Sequence, residues 1–136
     1  MIVADSNLIA YLHLPGPKAG VADAVLMKDS EWWVPPLWKS EFRGILFAYM
    51  RTRRMDVATA EAHWVEALDH LGATQKEPNP ASGRAKAVES NLSAYDAEFV
   101  VLAEELGVQR VDSDQKIISA FARFAISPEE FLADTF

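Results

Sequence analysis

Acidic side chains stand at the predicted ends of strands and helices along this chain. The candidates for a site are Asp5, Glu41, Asp96 and Asp114, with Asp112 as a fifth. Asp5 follows the apolar run Ile2-Val3-Ala4, and the last two acids follow a strand predicted over residues 108–111. Because ligands of open α/β sheets bind outside the carboxyl ends of the strands, these side chains are predicted to meet there.

Carboxylates gathered within a few ångströms cannot all stay ionised unless a cation offsets their charge. The chain has no cysteine, and oxygen ligands without His or Cys suit Mg²⁺ or Mn²⁺ rather than zinc. A divalent ion held in this way polarises a phosphodiester and lowers the pKa of bound water. The acids therefore predict a metal-dependent nuclease that needs neither a histidine nor a lysine as its base.

Each aspartate also has an ordinary structural explanation. Asp5 precedes a predicted helix, where an aspartate caps the helix well. Asp112 and Asp114 can be explained in the same way, as a cap and a first-turn residue of the next predicted helix. Ser93 and Asp96 have the spacing of a capping box, and an acid in a first helical turn is favoured by the helix dipole. Taken singly, these aspartates favour the capping interpretation, and only their convergence favours a site.

Glu41 has no such explanation, because it lies inside the helix predicted over residues 37–51. It follows Trp38 by three residues and precedes Ile45 by four, so it shares their apolar stripe. A carboxylate on an apolar face is costly unless something pairs with it. Glu41 is therefore the strongest single indication of a site.

The formal charge of −7, from 13 basic and 20 acidic residues, argues against a nucleic-acid partner when taken alone. The basic residues are unevenly spread, however, and residues 39–54 hold five of them against one acid. This strip predicts RNA contacts, and a solvated helix end with cations that suit the dipole is the open alternative. The candidate contacts are Arg43, Arg51, Arg53 and Arg54.

Strand and helix patterns alternate along the chain. Strands are predicted over residues 2–4, 32–34, 108–111 and 124–126, and a short extended piece over 73–76. Helices are predicted over residues 8–14, 18–28, 37–51, from 52 or 56 to 71, 81–91, 94–106, 114–121 and onward from 128. This alternation predicts one α/β domain over residues 1–136, with a parallel sheet covered by helices on both faces.

The remaining composition is that of a cytoplasmic protein. Without cysteines the chain suits a reducing compartment, its first residues do not resemble a signal peptide, and no apolar run is long enough for a bilayer. The three histidines are not expected to take part in the site. The four tryptophans are interpreted as core residues and not as a surface on which bases stack.

Three segments resemble the motifs of PIN-domain proteins, and most closely those of the VapC-like toxins of bacterial toxin–antitoxin pairs. The segments are IVADSNLIAYL, VPPLWKSEFRGIL, and YDAEFVVLAEELG followed by VQRVDSDQKI. The resemblance covers nearly the whole chain and implies a PIN-like three-layer α/β/α fold. It places Asp5, Glu41, Asp96 and Asp114 at the acidic positions of the family, with Ser6 helping to order the site.

Family membership would imply an endoribonuclease dependent on Mg²⁺ or Mn²⁺, a homodimer, and a small antitoxin that covers the acidic pocket. Asp5, Glu41 and Asp96 would hold the principal metal ion, and Asp114 would orient water or support a second ion. The arginine strip would contact RNA or the antitoxin. Asp112 departs from the family, which usually has Thr at that position. It would be either an additional metal ligand or a hydrogen-bonding partner of the other acids, which leaves the number of metal ions, one or two, open.

Two other classes of function compete with the nuclease. A non-catalytic binding module with the same fold is permitted by the net charge and by Asp112. A receiver-like phosphoacceptor domain also gathers acids at strand ends, but it needs a phosphorylatable Asp after a middle strand and a Lys after a late one. The segments WWVP and VDSD supply neither.

Overall fold

The computed structural model describes residues 1–52 and 54–134. Within them the chain alternates between strands and helices, as the sequence patterns predict. The strands are β1 (Ile2–Ala4), β2 (Trp32–Trp33), β3 (Arg110–Val111) and β4 (Ala125–Ile126). The helices are α1 (Ser6–His13), α2 (Ala19–Lys28), α3 (Trp38–Arg51), α4 (Val57–Leu71), α5 (Pro80–Ser90), α6 (Ala94–Leu106), α7 (Gln115–Ala120) and α8 (Pro128–Ala133).

The four strands form a parallel sheet in the order β2-β1-β3-β4. Val3 in β1 is paired with Trp33 on one side and Arg110 on the other, so β1 and β3 are the central strands. Beyond β2, Val34 makes an isolated parallel bridge to Gln75, which confirms the extended piece predicted around residues 73–76. The carboxyl ends of β1 and β3 consequently lie side by side.

Helices cover the sheet in two groups. In the first, α1 packs against α2, α3 and α4, while α2 also contacts α8. In the second, α6 packs against α5 and against strands β1 and β3, and α7 contacts β4. The result is a three-layer α/β/α fold, which confirms the predicted fold class.

The apolar stripes predicted from helical spacing face the core. Along α3, Trp38, Phe42 and Leu46 are buried, and Ile45 and Tyr49 pack partly buried against the same core. Burying large side chains of this kind contributes roughly 1.5–3 kcal/mol each, so α3 is held firmly where it approaches the carboxyl ends of the strands.

The end of α6 follows from one glycine. Gly107 has a φ of 68°, a left-handed conformation that side chains with a Cβ adopt only at a cost, and its N–H closes the last turn of the helix. The chain then turns directly into β3. No helix in the described ranges is both long and apolar enough to cross a membrane.

Candidate active site

Acidic side chains from separate parts of the chain line one cavity of about 380 Å³. Asp5 and Asp112 directly follow β1 and β3, Glu41 comes from α3, and Asp96 from the first turn of α6. All five acids singled out from the sequence lie on this wall: Asp5, Glu41, Asp96, Asp112 and Asp114. They meet because the two central strands end side by side, while α3 and α6 bring their acids to that edge.

The capping interpretation is correct for Asp5 and Asp114, which are the N-caps of α1 and α7, and wrong for Asp112, which lies two residues before the cap of α7. Asp5 Oδ2 accepts a hydrogen bond from the backbone N–H of Asn7 at 3.1 Å, and Asp114 Oδ1 accepts one from Lys116 at 2.9 Å. The Ser93 hydroxyl accepts a hydrogen bond from the backbone N–H of Asp96 at 3.0 Å. A cap occupies at most one oxygen of a carboxylate, so capping and ligand binding do not exclude each other.

The structure corrects the interpretation of Glu41 as a residue of the helix interior, because α3 begins at Trp38 and Glu41 lies in its first turn, where the dipole favours an acid. Its carboxylate is also held by a side chain from another helix. The hydroxyl of Ser6, a buried residue at the start of α1, donates a hydrogen bond to Glu41 Oε1 at 2.7 Å. Burial raises the pKa of Glu41, the bond from Ser6 opposes that rise, and the nearby Asp96 carboxylate adds to it. Ser6 therefore fixes the direction of a carboxylate whose second oxygen remains available.

Arg110 also lines the cavity, and sequence reasoning missed it. Its Nη2 lies 2.6 Å from Asp112 Oδ2 and 3.3 Å from Asp5 Oδ1, while its Nη1 donates a hydrogen bond to the backbone oxygen of Asp96 at 2.8 Å. The contact with Asp112 is an ion pair by charge and distance, without the angles of a hydrogen bond. A sequence signal was present, because strand residues two apart share a face and VQRVD places an arginine two residues before an aspartate.

The single guanidinium does not balance the two carboxylates beside it. Burial and the neighbouring Asp112 raise the pKa of Asp5 to about 7, although the charge of Arg110 acts in the opposite direction. The site therefore carries more negative charge than its buried surroundings stabilise. A bound divalent cation would relieve that excess.

The donor set suits a hard cation, since every candidate ligand is a carboxylate. Within residues 1–52 and 54–134, however, no three His, Asp or Glu side chains already surround a common point. Between Asp5 and Asp112 the positive charge is supplied by the guanidinium of Arg110. Glu41 and Asp96 are partly exposed and Asp114 is exposed, so these side chains are free to rotate on the cavity wall. The residues therefore fit Mg²⁺ or Mn²⁺ in chemistry, and binding would require those rotations.

Three of the four predicted arginine contacts, Arg43, Arg51 and Arg54, do not line the cavity. Their guanidinium groups lie over aromatic rings, at 5.1 Å for Arg43 over Trp64 and 5.9 Å for both Arg51 over Phe47 and Arg54 over Tyr49. All three arginines are exposed. Two of them, Arg43 and Arg51, lie on α3, the helix that also carries Glu41. The fourth, Arg53, lies outside the described residues.

A pair of histidines forms a second polar contact away from the acids. His13 Nε2 lies 3.0 Å from His70 Nδ1, in a contact that joins α1 to α4 beside Trp32 and Phe42. Burial and the neighbouring His70 lower the pKa of His13 to about 4, and burial also lowers that of His70. Both imidazoles are therefore neutral at pH 7.

This pair should make stability depend on pH. The unfolded chain takes up a proton on His13 near pH 6.5 but the folded chain only near pH 4, so stability is lost as pH falls through that window. Because the ring is partly exposed, we expect a loss of only about 1–2 kcal/mol. Urea unfolding at pH 7 and pH 4.5 measures it. The variant His13→Gln/His70→Gln should lose less between the two pH values, and an equal loss in both proteins would contradict the assignment.

Comparisons with known proteins agree with the architecture. No family model matches this sequence, and no curated protein matches it. Among solved structures, PAE2754 from Pyrobaculum aerophilum is similar, with a TM-score of 0.78, 22% identity, and coverage of 97% of this chain and 93% of that one. FitAcB from Neisseria gonorrhoeae has a TM-score of 0.69 at 17% identity, covering 95% and 99%. At such identities the likeness shows the shared three-layer fold.

Proposed function

We propose that this chain is an endoribonuclease dependent on Mg²⁺ or Mn²⁺, and that it is the toxin of a type II toxin–antitoxin pair. One observation carries the enzymatic part: Glu41 lies with four aspartates on the wall of a single cavity, and the helix dipole that favours an acid in the first turn of α3 does not account for that convergence. The motif resemblance to PIN-domain proteins of the VapC-like kind supports the same assignment from the sequence.

Asp5, Glu41 and Asp96 would hold the principal ion, with Asp114 at the exposed side of the cavity. When bound, the ion supplies Lewis-acid polarisation of the phosphodiester and activation of water. The chain contributes orientation: Ser6 fixes Glu41 by its 2.7 Å hydrogen bond, and the cap at Asn7 fixes Asp5. Arg110 is only 1% exposed, so it acts on the carboxylates and does not touch RNA.

RNA would approach along the exposed face of α3. Arg43 and Arg51 are exposed there, and Arg54 follows shortly after the end of the helix. Cations at this place offset the repulsion that a net charge of −7 would otherwise exert on a polyanion. Since the acidic cavity adjoins the same helix, an RNA chain bound on this face of α3 would reach the carboxylates.

The remaining parts of the proposal rest on the resemblance to VapC-like toxins. They are a cytoplasmic homodimer and inhibition by a small antitoxin that covers the acidic cavity. Light scattering tests the dimer, and copurification with the product of an adjacent small gene tests the antitoxin. A partner that binds without masking the acids would contradict the proposed mode of inhibition.

A catalytically inactive binding module of the same fold is the second candidate. Arg110 favours it, since a guanidinium already supplies positive charge to Asp5 and Asp112, as a bound metal ion otherwise would. The two candidates differ in metal affinity and in turnover. A module without catalysis would bind RNA or protein equally well with Mn²⁺ or with EDTA.

The deciding experiment is RNA cleavage by the purified protein. Single-stranded RNA and folded total RNA are incubated with the protein in Mn²⁺, Mg²⁺ or EDTA, and the products are resolved on gels and sequenced at their ends. We expect cleavage at reproducible positions in either metal and none in EDTA. RNA binding without cleavage at saturating metal would overturn the nuclease and favour the binding module.

A further inference from the structure

A buried arginine stands between two of the acids. Arg110 lies on β3, where its backbone pairs with Val3 of β1 and with Ala125 of β4. Its guanidinium is close to both Asp112, at 2.6 Å, and Asp5, at 3.3 Å. Both carboxylates follow central strands, and Arg110 is buried, so its guanidinium lies at the floor of the cavity and not at its mouth.

Arg110 is a fixed group. Besides the two carboxylates, it donates a hydrogen bond to the backbone oxygen of Asp96 at 2.8 Å, and its guanidinium lies 5.2 Å from the centre of the Phe99 ring. Arg110 is 1% exposed and Asp112 is fully buried. Displacing a guanidinium so held would break all of these contacts and leave its own charge buried without a partner, which opposes its exchange for an ion.

The acids of the cavity therefore fall into two sets. Asp5 and Asp112 share the guanidinium, and the carboxylate oxygen atoms of Asp112 are both engaged, one by Arg110 and one by the backbone N–H of Asp114. Glu41, Asp96 and Asp114 make no ion pair within the described part of the chain and are reachable from the cavity. Asp5 belongs to both sets, because it lies beside the guanidinium and would also hold the principal ion.

We propose that Arg110 takes the place of one cation between Asp5 and Asp112, so that the cavity binds a single divalent ion, the one that Asp5, Glu41 and Asp96 would hold. Arg110 is thus a positioning residue that sets the number of metal ions. The inference rests on the proposed function, because it assumes that the cavity binds a divalent ion.

The number of bound ions tests this directly. Mn²⁺ bound per chain is counted by electron paramagnetic resonance in the wild type and in Arg110→Lys, Arg110→Met and Arg110→Met/Asp112→Asn. We expect one ion in the wild type and in Arg110→Lys, which keeps the charge. We expect two in Arg110→Met, where a second Mn²⁺ replaces the guanidinium, and one in the double variant, where Asp112 no longer carries a charge.

Thermal unfolding gives a second readout, which needs no counting of ions. Arg110→Met should unfold at a lower temperature than the wild type in EDTA and recover in excess Mn²⁺, while the double variant should depend on Mn²⁺ no more than the wild type does. A purely structural role for Arg110 would lower the unfolding temperature of Arg110→Met to the same extent with and without metal.

If Arg110→Met does not fold, Asp112→Asn and Arg110→Met/Asp112→Asn remain as a pair that differs only at Arg110. The double variant should bind its first Mn²⁺ roughly tenfold more tightly, because a positive charge near the ion is gone. Equal affinities in this pair, two ions in the wild type, or one ion in a folded Arg110→Met would overturn the inference alone. Absence of Mn²⁺ binding in every protein would instead overturn the proposed function.

Discussion

Replacing Asp96 with Asn is expected to lower the rate of RNA cleavage by at least about a thousandfold, because losing a metal ligand removes several kcal/mol of transition-state stabilisation. The fold should survive. Asp96 contributes to the fold through its backbone. Its backbone N–H donates a hydrogen bond to the Ser93 hydroxyl, and its backbone oxygen accepts one from Arg110. Asparagine preserves both contacts and removes only the charge.

The rate is measured on an end-labelled RNA at saturating Mn²⁺, with wild type and Asp96→Asn purified in parallel. Asp23→Asn is the matched control, since Asp23 is exposed on α2 and does not line the cavity. It should cleave at the wild-type rate. Full activity in a folded Asp96→Asn protein would show that the cleavage comes from elsewhere, including a contaminating nuclease.

Asp5→Asn should make the metal-free protein more stable above pH 7. The folded-state pKa of Asp5, about 7, lies above its usual value of 3.8, so ionising Asp5 costs the folded chain free energy. The cost is absent below pH 3.8, grows as pH rises, and is complete above pH 7. Asparagine removes it while Arg110 keeps its 2.6 Å ion pair with Asp112. We expect a gain of about 2–4 kcal/mol at pH 8.

Urea unfolding in EDTA at pH 4, 6 and 8 measures the difference between Asp5→Asn and the wild type. The difference should be near zero at pH 4 and largest at pH 8, and the histidine pair cancels because both proteins contain it. Saturating Mg²⁺ should reduce the difference by stabilising only the wild type. Asp23→Asn should match the wild type throughout. A constant difference at all three pH values would contradict a raised pKa of Asp5.

The positions of the acids were predictable because their neighbours are local signals. An apolar run ending in Asp5 defines a strand and its exit, and the helical spacing from Trp38 to Ile45 puts Glu41 among apolar residues. Element boundaries were less predictable. The helix expected from residue 8 begins at Ser6, because Asp5 caps it, and the strand expected over residues 108–111 has its ladder only at Arg110–Val111.

The contacts of Asp112 were not predictable in the same way. The departure of Asp112 from the family pattern suggested a further metal ligand or a hydrogen-bonding role. In the structure Asp112 forms an ion pair with Arg110 and accepts a hydrogen bond from the backbone N–H of Asp114. The contact between His13 and His70 joins two residues that are 57 positions apart and lie on different helices. No periodicity within either helix indicates that contact.

The amino-acid sequence by itself determined the alternation of strands and helices and the apolar faces of α3 and α6. It also determined which carboxylates lie next to the ends of these strands and helices. These follow from interactions between residues near each other in the chain. Only the tertiary structure decided that Arg110 would share its charge between Asp5 and Asp112, because strand order and register place Arg110 beside residues more than a hundred positions away. The charge balance of the cavity depends on that pairing, and so does the number of cations it can hold.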